Sequence, residues 1–444
     1  MGIEWTSLKF IDAPLDIIDG DRGKNYPKQH EFIEAGYCLF LNAGNVTQDG
    51  FNFSQCSFIS EDKDLSLHKG KLQRHDVVLT TRGTVGNGAY YDDSISFDNI
   101  RINSGMVIFR ANTHRLLPRF LYLFIRSNLF MNQVQSLRTG SAQPQLPIRD
   151  INRIEIPLPP LSEQRAIAHI LGSLDDKIEL NRQMNQTLEA MAQAIFKSWF
   201  VDFDPVKAKM EGRDTGLPAE IDHLFPDSFE QSELGLVPKG WKPVQLAELI
   251  ELIGGGTPKT SKVEYWNGDI PWFSVVDAPD SSDVFVINTE KHITRSGLQN
   301  SSTKILPFGT TIISARGTVG KCALVGTPMA MNQSCYGIAG INGRGSYFTY
   351  FLIRKQVSDL QRSGHGSVFN TITRDTFKSI ISIDTGPEIT QQFDKSVDSF
   401  LRLIHTNLCE IKVLKQQRDA LLPKLISGEL RVPDVEALLK EAGL

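Results

Sequence analysis

Residues that could do chemistry are present, but none stands in the company its chemistry needs. Gly317-Thr318-Val319-Gly320-Lys321 has the outline of a phosphate loop. In such a loop, glycine amides cradle phosphates and a lysine reaches them. Here Ala315 stands where the first glycine is required, and Cys322 where a hydroxyl would hold magnesium, which excludes that motif. An amino-methyltransferase would carry a D/N-P-P-aromatic turn, and Asp204-Pro205-Val206 lacks its second proline. Glu410 and Lys412 have the spacing of a nuclease Glu-x-Lys, but they lie in a heptad-patterned segment without the strand geometry for a shared metal. The nine histidines form no H-E-x-x-H or other metal spacing. Gly254-Gly255-Gly256 reads as a turn ahead of Thr257-Pro258 rather than a nucleotide cradle. No catalytic residue and no metal ligand is therefore expected, and binding is favoured over catalysis.

The elements that would position a binding surface occur twice. Arg-Gly-Thr-Val-Gly appears at 82–86 and again at 316–320, each time after an apolar strand-like run, at 76–81 and 309–315. Farther on, 138–150 (RTGSAQPQLPIRD) has a counterpart at 362–375 (RSGHGSVFNTITRD). Trp5 and Leu8 open the first copy, Trp241 and Leu246 the second. Ordered matches at nearly one offset indicate a duplicated unit. Strand-like runs at 105–110, 270–276 and 311–314, with a helix around Pro118–Gln135, make each unit mixed α/β.

Each copy leads into a long helical segment. Ile167, Leu171, Leu174, Ile178, Asn181, Asn185, Leu188, Ala192, Ile195 and Trp199 step by four and three. Shifted by 226 residues, the same register runs through Phe393, Val397, Phe400, Ile404, Asn407, Ile411, Leu414, Arg418, Leu421 and Leu425. A period of 3.5 residues sustained over several heptads predicts a coiled-coil seam, while two helices packed separately on their own domains is the alternative. Asn181 and Asn185 cost stability in such a seam but can fix register and pairing. The expected organisation is a first domain at 1–160, a long helix at 161–201, an irregular Pro/Gly-rich connector at 202–240 docking through Leu224-Phe225, a second domain at 241–386, a second helix at 387–430 and a tail at 431–444. The fold class is α+β: two similar mixed domains joined by two long helices that pair as an antiparallel coiled coil.

Composition sets outer bounds. The 444 residues are 41% hydrophobic and 22% charged, as expected of a chain with two to four globular domains. Lys+Arg 47 against Asp+Glu 51 excludes a polycation. Residues 1–160 hold 17 of each sign, and 216–386 hold 15 cations and 16 acids, so any nucleic-acid affinity must lie in where the cations sit. Five cysteines (Cys38, Cys56, Cys322, Cys335, Cys409) without a C-x-x-C pair argue against a disulfide framework or zinc knuckle. With no apolar signal core at the N-terminus, they point to a soluble protein of the reducing cytoplasm.

Candidate binding residues follow from chemistry and place. Arg22, Lys24 and Lys28 lie in a turn-rich segment of the first copy, and Lys259, Thr260 and Lys262 in its counterpart. Glycine-rich backbone beside cations and hydroxyls suits phosphate approach. Arg82 with Thr84 and Arg316 with Thr318 are candidates for phosphate contact or bidentate guanine contact; alternatively, the arginine merely caps a strand end. Arg138, Gln143, Arg362, His365 and Asn370 occupy the second repeated stretch. Shared residues should serve scaffold and phosphate, whereas divergent loops should choose sequence. Those loops hold Asn42, Asn45, Gln48, Asn52, Gln55 and Gln145 in the first copy, and Asn267, Ser274 and Asp277 in the second. Asn and Gln can pair bidentately with adenine. For helix pairing the candidates are Leu171, Leu174, Ile178, Asn181, Leu188, Val397, Ile404, Asn407, Ile411 and Leu414.

The plan resembles the specificity subunit of type I restriction–modification systems. Carrying the resemblance are the Arg-Gly-Thr-Val-Gly turns, I-P-L-P-P-L-S-E-Q-R-A-I at 156–167, L-G-L-V-P-K-G-W at 234–241 and L-I-S-G-E-L-R-V at 425–432. The second copy departs from it, with Gly386–Gln392 standing where the first has Pro159–Arg165. The resemblance implies that each unit is a target recognition domain reading one half of a split, asymmetric double-stranded DNA site. It implies a non-catalytic subunit with no cofactor of its own. Its partners would be two modification subunits that methylate adenine N6 with S-adenosylmethionine, and restriction subunits that use ATP and magnesium to translocate and cut. A protein-binding scaffold without DNA specificity is the alternative.

If the seams 167–199 and 393–425 pair antiparallel, helix length sets the distance between half-sites. One heptad adds about 10.5 Å and a base-pair step about 3.4 Å. Inserting a matched heptad in both helices should lengthen the tolerated spacer by up to about three base pairs with both half-sites unchanged. Sequencing methylated sites in the insertion strain checks this; an unchanged spacer at full activity would reduce the helices to tethers.

Overall fold

The apolar period of four and three folds into two helices, Leu161–Phe200 and Pro387–Ser427. Proline precedes or opens each, at Pro160 and Pro387, where the missing N–H is not needed. Gly428, at φ 75°, ends the second in the left-handed conformation that closes helices. The computed structural model describes residues 5–140, 143–279, 283–363 and 371–432, with the side chains of 362 and 363 left out. The chain forms two compact units, Met1–Lys177 with Leu414–Leu444 and Ile178–Val413. This differs from the linear boundaries expected from sequence. Each long helix is divided between the units along its length, at 177/178 and at 413/414, and carries a second apolar face besides the seam. Beyond the heptad positions, Leu401, Leu408, Leu422 and Ile426 are also buried.

In the first unit a four-stranded antiparallel sheet has the order Leu15–Asp19, Met106–Ala111, Val77–Thr80, Gly88–Tyr90. A smaller sheet sets Cys38–Phe40 antiparallel to Phe58–Ile59 and parallel to Ile100–Arg101. Thr6–Lys9 pairs antiparallel with Glu155–Leu158. Phe10, Phe109, Phe120, Phe124 and Phe130 fill the core together with Ile167 and Leu171 of the first long helix and Leu422, Leu425 and Ile426 of the second. Asp175 links the same parts by charge: it accepts from Arg126 at 2.8 Å and from Arg418 at 2.9 Å.

The second unit repeats the plan with one strand added. Ile250–Gly254, Cys335–Gly340, Thr311–Ser314 and Cys322–Val325 form the same antiparallel order, extended by a parallel Phe285–Val286. Trp266–Phe273 lies antiparallel to Lys291–Ile293 and parallel to Ala330–Met331, and Lys242–Gln245 pairs with Ile381–Asp384. Phe196 and Phe200 of the first helix pack on Phe393 of the second at ring distances of 5.8 and 5.5 Å. Asn407 donates to Asn185 at 2.8 Å, and Asn181 donates to Glu410 at 2.8 Å, so the helices run antiparallel here. Asn407, the repeat equivalent of Asn181, thus bonds Asn185 instead.

Two expectations need correction. The helix around Pro118–Gln135 is two helices, Pro118–Arg126 and Asn128–Leu137. Ser127 adopts extended backbone between them, and its hydroxyl donates to the Phe124 carbonyl at 2.6 Å. The connector at 202–240 is structured: a helix at Asp204–Met210, a helical turn at Ala219–Asp222 and a hairpin of Phe229–Ser232 with Gly235–Pro238. Aromatic packing orders it. Phe225 is buried edge-on against Trp199 at 5.3 Å, and Phe203 lies edge-on to Trp241 at 5.7 Å.

Each domain is also held to a long helix by a cap from that helix. Gln164 accepts from the Leu117 amide at 2.8 Å at the start of Pro118–Arg126. In the second unit Asp394 accepts from the Tyr347 and Phe348 amides, at 3.0 and 2.8 Å, at the start of Ser346–Ser363. Burial outweighs these bonds and pushes the Asp394 carboxyl up to about 6 from 3.8. Because its folded value is raised, the native state holds this proton more tightly than the unfolded chain. Its contribution to stability is full below about pH 4 and falls as pH rises through 6. Asp394→Asn should remove that slope. From pH 4 to 7 the variant should gain on the order of 2–3 kcal/mol relative to the parent. Denaturant melts across this range check it, and parallel stability curves would contradict it.

Candidate nucleic-acid interface

At one end of the four-stranded sheet the two repeated stretches come together, in the same way in both units. In the first unit the turn 82–86 follows the strand Val77–Thr80, with Gly83 and Gly86 at φ 73° and 99°. The Thr80 hydroxyl donates to the Thr84 carbonyl and accepts the Asn87 amide at 3.1 Å. In the second unit Ser314 does the same, donating to the Thr318 carbonyl at 2.5 Å and accepting the Lys321 amide at 2.9 Å. The turn is thus closed by a hydroxyl at the end of the strand, and its arginine is not needed to close it.

Two further loops brace the turn. On one side the Leu146 amide donates to the Thr81 carbonyl at 2.9 Å and Arg82 bridges Gln145; in the second unit Ile372 donates to Ala315 at 2.9 Å and Arg316 bridges Thr371. On the other side Thr81 donates to the Gly105 carbonyl at 2.7 Å, and Ala315 donates to Ser334 at 2.8 Å. These last loops carry a signal that the sequence reading missed, Asn103-Ser104-Gly105 and Asn332-Gln333-Ser334. Each asparagine side chain accepts the amide two residues on, at 2.8 and 3.0 Å. The cation-bearing loops close against them. A Cβ at Gly20 would lie 2.3 Å from the Asn103 carbonyl oxygen, and one at Gly255 would lie 1.9 Å from that of Asn332, so both positions require glycine.

On this frame Arg82, Thr84, Arg316 and Thr318 are exposed, and among the described residues no carboxylate pairs with either arginine. Lys24, Lys28, Lys259 and Thr260 are likewise exposed. Arg22 is part of the frame: it donates to Asp19 at 3.0 Å and to the Ser104 carbonyl at 3.3 Å. Lys262 faces Glu264 at 3.4 Å. Arg138 and Gln143 are exposed in the loop that braces the first turn. Arg362 lies in the last turn of Ser346–Ser363, its side chain outside the description, and His365 and Asn370 lie outside the described residues.

Several polar residues of the divergent loops are spent on structure. Asn45 is buried, its amide given to the Asn52 and Gln55 carbonyls at 2.9 and 2.8 Å, and Asn42 accepts the Gly44 amide. Asp277 accepts the Ser274 amide and hydroxyl and the Glu290 amide. These are turn-builders, whereas Gln48, Gln55 and Gln143 keep exposed side chains.

Among the described residues, reactive chemistry is not assembled near these loops. Burial pushes the thiols of Cys38, Cys322 and Cys335 up to about 12, away from nucleophilic use. Among the described residues no group of His, Cys, Asp and Glu could hold a metal, and no helix is long and apolar enough to cross a membrane.

What the geometry defines is a protein of two similar modules built on one repeated frame. The family described as the type I restriction modification DNA specificity domain matches residues 15–190 and 238–392. The type I restriction enzyme HindI specificity subunit of Haemophilus influenzae is 30% identical over 93% of this chain and 98% of its own. The MjaIX specificity subunit of Methanocaldococcus jannaschii is 26% identical over 81% of this chain and 78% of its own. A crystal structure of the S subunit of a type I restriction–modification system from M. genitalium superposes with a TM-score of 0.53 at 15% identity, covering 96% of both chains. This chain belongs to the family of type I restriction enzyme specificity subunits, and its work is DNA sequence recognition.

Replacing Arg82 or Arg316 by Ala should lower the slope of log affinity against log salt by about one if each meets a phosphate, as should Lys24→Ala and Lys259→Ala. If an arginine reads guanine, its loss should instead relax one base position by about 1–3 kcal/mol. Binding titrations over a salt series with randomised sites decide between these, and an unchanged slope for all four would move the DNA elsewhere.

Proposed function

We propose that the two braced turns are the DNA faces of this subunit and that each reads one half of a bipartite, asymmetric site. The observation that carries this reading is an exposed, carboxylate-free arginine at the same place on the same frame in both units, in a chain of this family. A shared frame with a shared cation fits a shared target, the phosphate backbone. Sequence choice then falls to what differs between the copies: Gln143 and Gln145 in the first, and the stretch at 365–370 in the second. In this reading Arg22, Lys28, Arg138, Thr260 and Lys262 are further candidates for phosphate contact.

In this reading the long helices set the spacer and dock two modification subunits. Leu180, Met191, Leu403 and Val413 suit that docking, since they leave 53, 45, 39 and 49% of their surface exposed on the helices of the second unit. The chain itself is non-catalytic. The adenine N6 methylation that it directs uses S-adenosylmethionine on the modification subunits, and translocation and cleavage use ATP and magnesium on restriction subunits. The cytoplasm, where host DNA lies, is its place of work.

Methylation-site sequencing of host DNA with and without the gene should show one bipartite motif that depends on it. Replacing residues 1–160 by the corresponding unit of a relative should then change one half of that motif and leave the other half intact. A replacement that alters both halves would contradict independent reading by the two units.

A further inference from the structure

A duplicated chain with two similar helices faces a problem of partner choice. Apolar seams of the same period let the first helix pair with the first helix of another copy, and the second with the second. The repeat defines what each side chain would meet. Leu422, Leu425 and Ile426 pack with Ile167 in the first unit, as Phe196, Trp199 and Phe200 pack on Phe393 in the second. The shift of 226 residues therefore holds in the folded chain, and Glu189 and Lys415 are equivalent positions.

These equivalent positions carry opposite charges and meet opposite charges. Glu189 on the first helix pairs with Arg354, which also lies over the Tyr350 ring at 5.3 Å. The pair is sheltered, with side-chain exposures of 31% for Arg354 and 10% for Glu189. Lys415 on the second helix pairs with Asp49 at 3.5 Å in a more open setting, with side-chain exposures of 34% and 51%. A second contrast follows the same sense, since Arg418, which binds Asp175 at 2.9 Å, is matched by Ala192 in the repeat. At the 189/415 position the first helix thus offers an acid where the second offers a cation, and at 192/418 it offers no charge where the second offers one.

We propose that this charge inversion selects pairing of unlike helices and rejects pairing of like ones between copies of the chain. Were two second helices to pair, Lys415 would stand beside Arg354 in its sheltered site. Were two first helices to pair, Glu189 would stand beside Asp49, and Asp175 would lose Arg418 to alanine. Like charges brought together at a pairing surface exclude wrong partners, and the cost is greater at the sheltered Arg354 site than at the more open Asp49 site. The native arrangement is the one that satisfies both sites. Apolar burial holds the helices together; the charges decide which helices these are.

The test inverts the code in the full-length chain. Glu189→Lys with Lys415→Glu makes the native pairing repulsive at both sites and the like-with-like pairing attractive at both. Two differently tagged copies are co-expressed, one tag is captured and the other is measured, with molar mass read by light scattering. The double variant should show a several-fold rise in cross-capture and a doubled molar mass relative to the parent. Adding Arg354→Glu and Asp49→Lys restores the complementarity of the native pairing and should return both readings to the parent values. A double variant that shows no added cross-capture, whether it melts normally or merely lower, would overturn the proposal and leave the pairs as simple stabilisers. Equal cross-capture in the double and quadruple variants would overturn it as well, because the association would then not depend on charge matching.

Discussion

Both units depend on one constraint: each long helix must bury two faces at once, one against its partner helix and one against a domain. Leu422, Leu425 and Ile426 belong to the same core as Phe10, Phe109 and Phe124, although they come from the far end of the chain. Each such aliphatic side chain contributes about 1.5–3 kcal/mol when it leaves water. The first domain is therefore complete only with the last turns of the second helix in place, and Arg431 over the Trp5 ring at 4.6 Å extends that closure beyond the helix end. In the second unit the closing role falls to Phe196, Trp199 and Phe200.

Against this apolar background the polar layer of the second unit stands out as a cost. Asn181 and Asn185 are fully buried, and among the described residues the Asn181 carbonyl oxygen and the Asn185 amide nitrogen have no partner. A buried polar group left unmade costs about 1–3 kcal/mol. The bonds that are made, Asn185 with Asn407 and Asn181 with Glu410, exist in one register alone. Sliding either helix by a heptad would keep apolar residues facing each other but break the bonds of the three buried asparagines. The layer gives up stability for a single alignment.

Much of this was legible in the sequence because it is periodic or repeated. The heptad positions named both helices, and none of the twenty is exposed. The duplicated turn and the stretch 138–150 were readable as a pair, and the fold makes them neighbours. What stayed hidden was set by long-range contact. The second buried face of each helix looks like ordinary amphipathic variation until a domain covers it. Gly20 and Gly255 read as turn residues, whereas what fixes them is the carbonyl of an asparagine some 80 residues on. Asn45 and Asp277 have the same composition as a base-reading residue, and only their hydrogen bonds show that they build turns. The connector was misread because proline and glycine spacing outweighed the aromatic residues that order it.

The way the paired turns are closed bears on how such a surface changes over time. Main-chain bonds from Thr81, Leu146, Ala315 and Ile372, with one strand-end hydroxyl in each unit, hold the frame. The only side chains these bonds use, Thr80 and Ser314, are buried. Backbone held by its own main-chain bonds has little conformational entropy to lose on association. Substitutions at the tips can accumulate without disturbing the fold beneath them. New specificities are then reachable by small steps through foldable intermediates, and the two halves of the chain are free to drift apart in what they read while keeping one architecture.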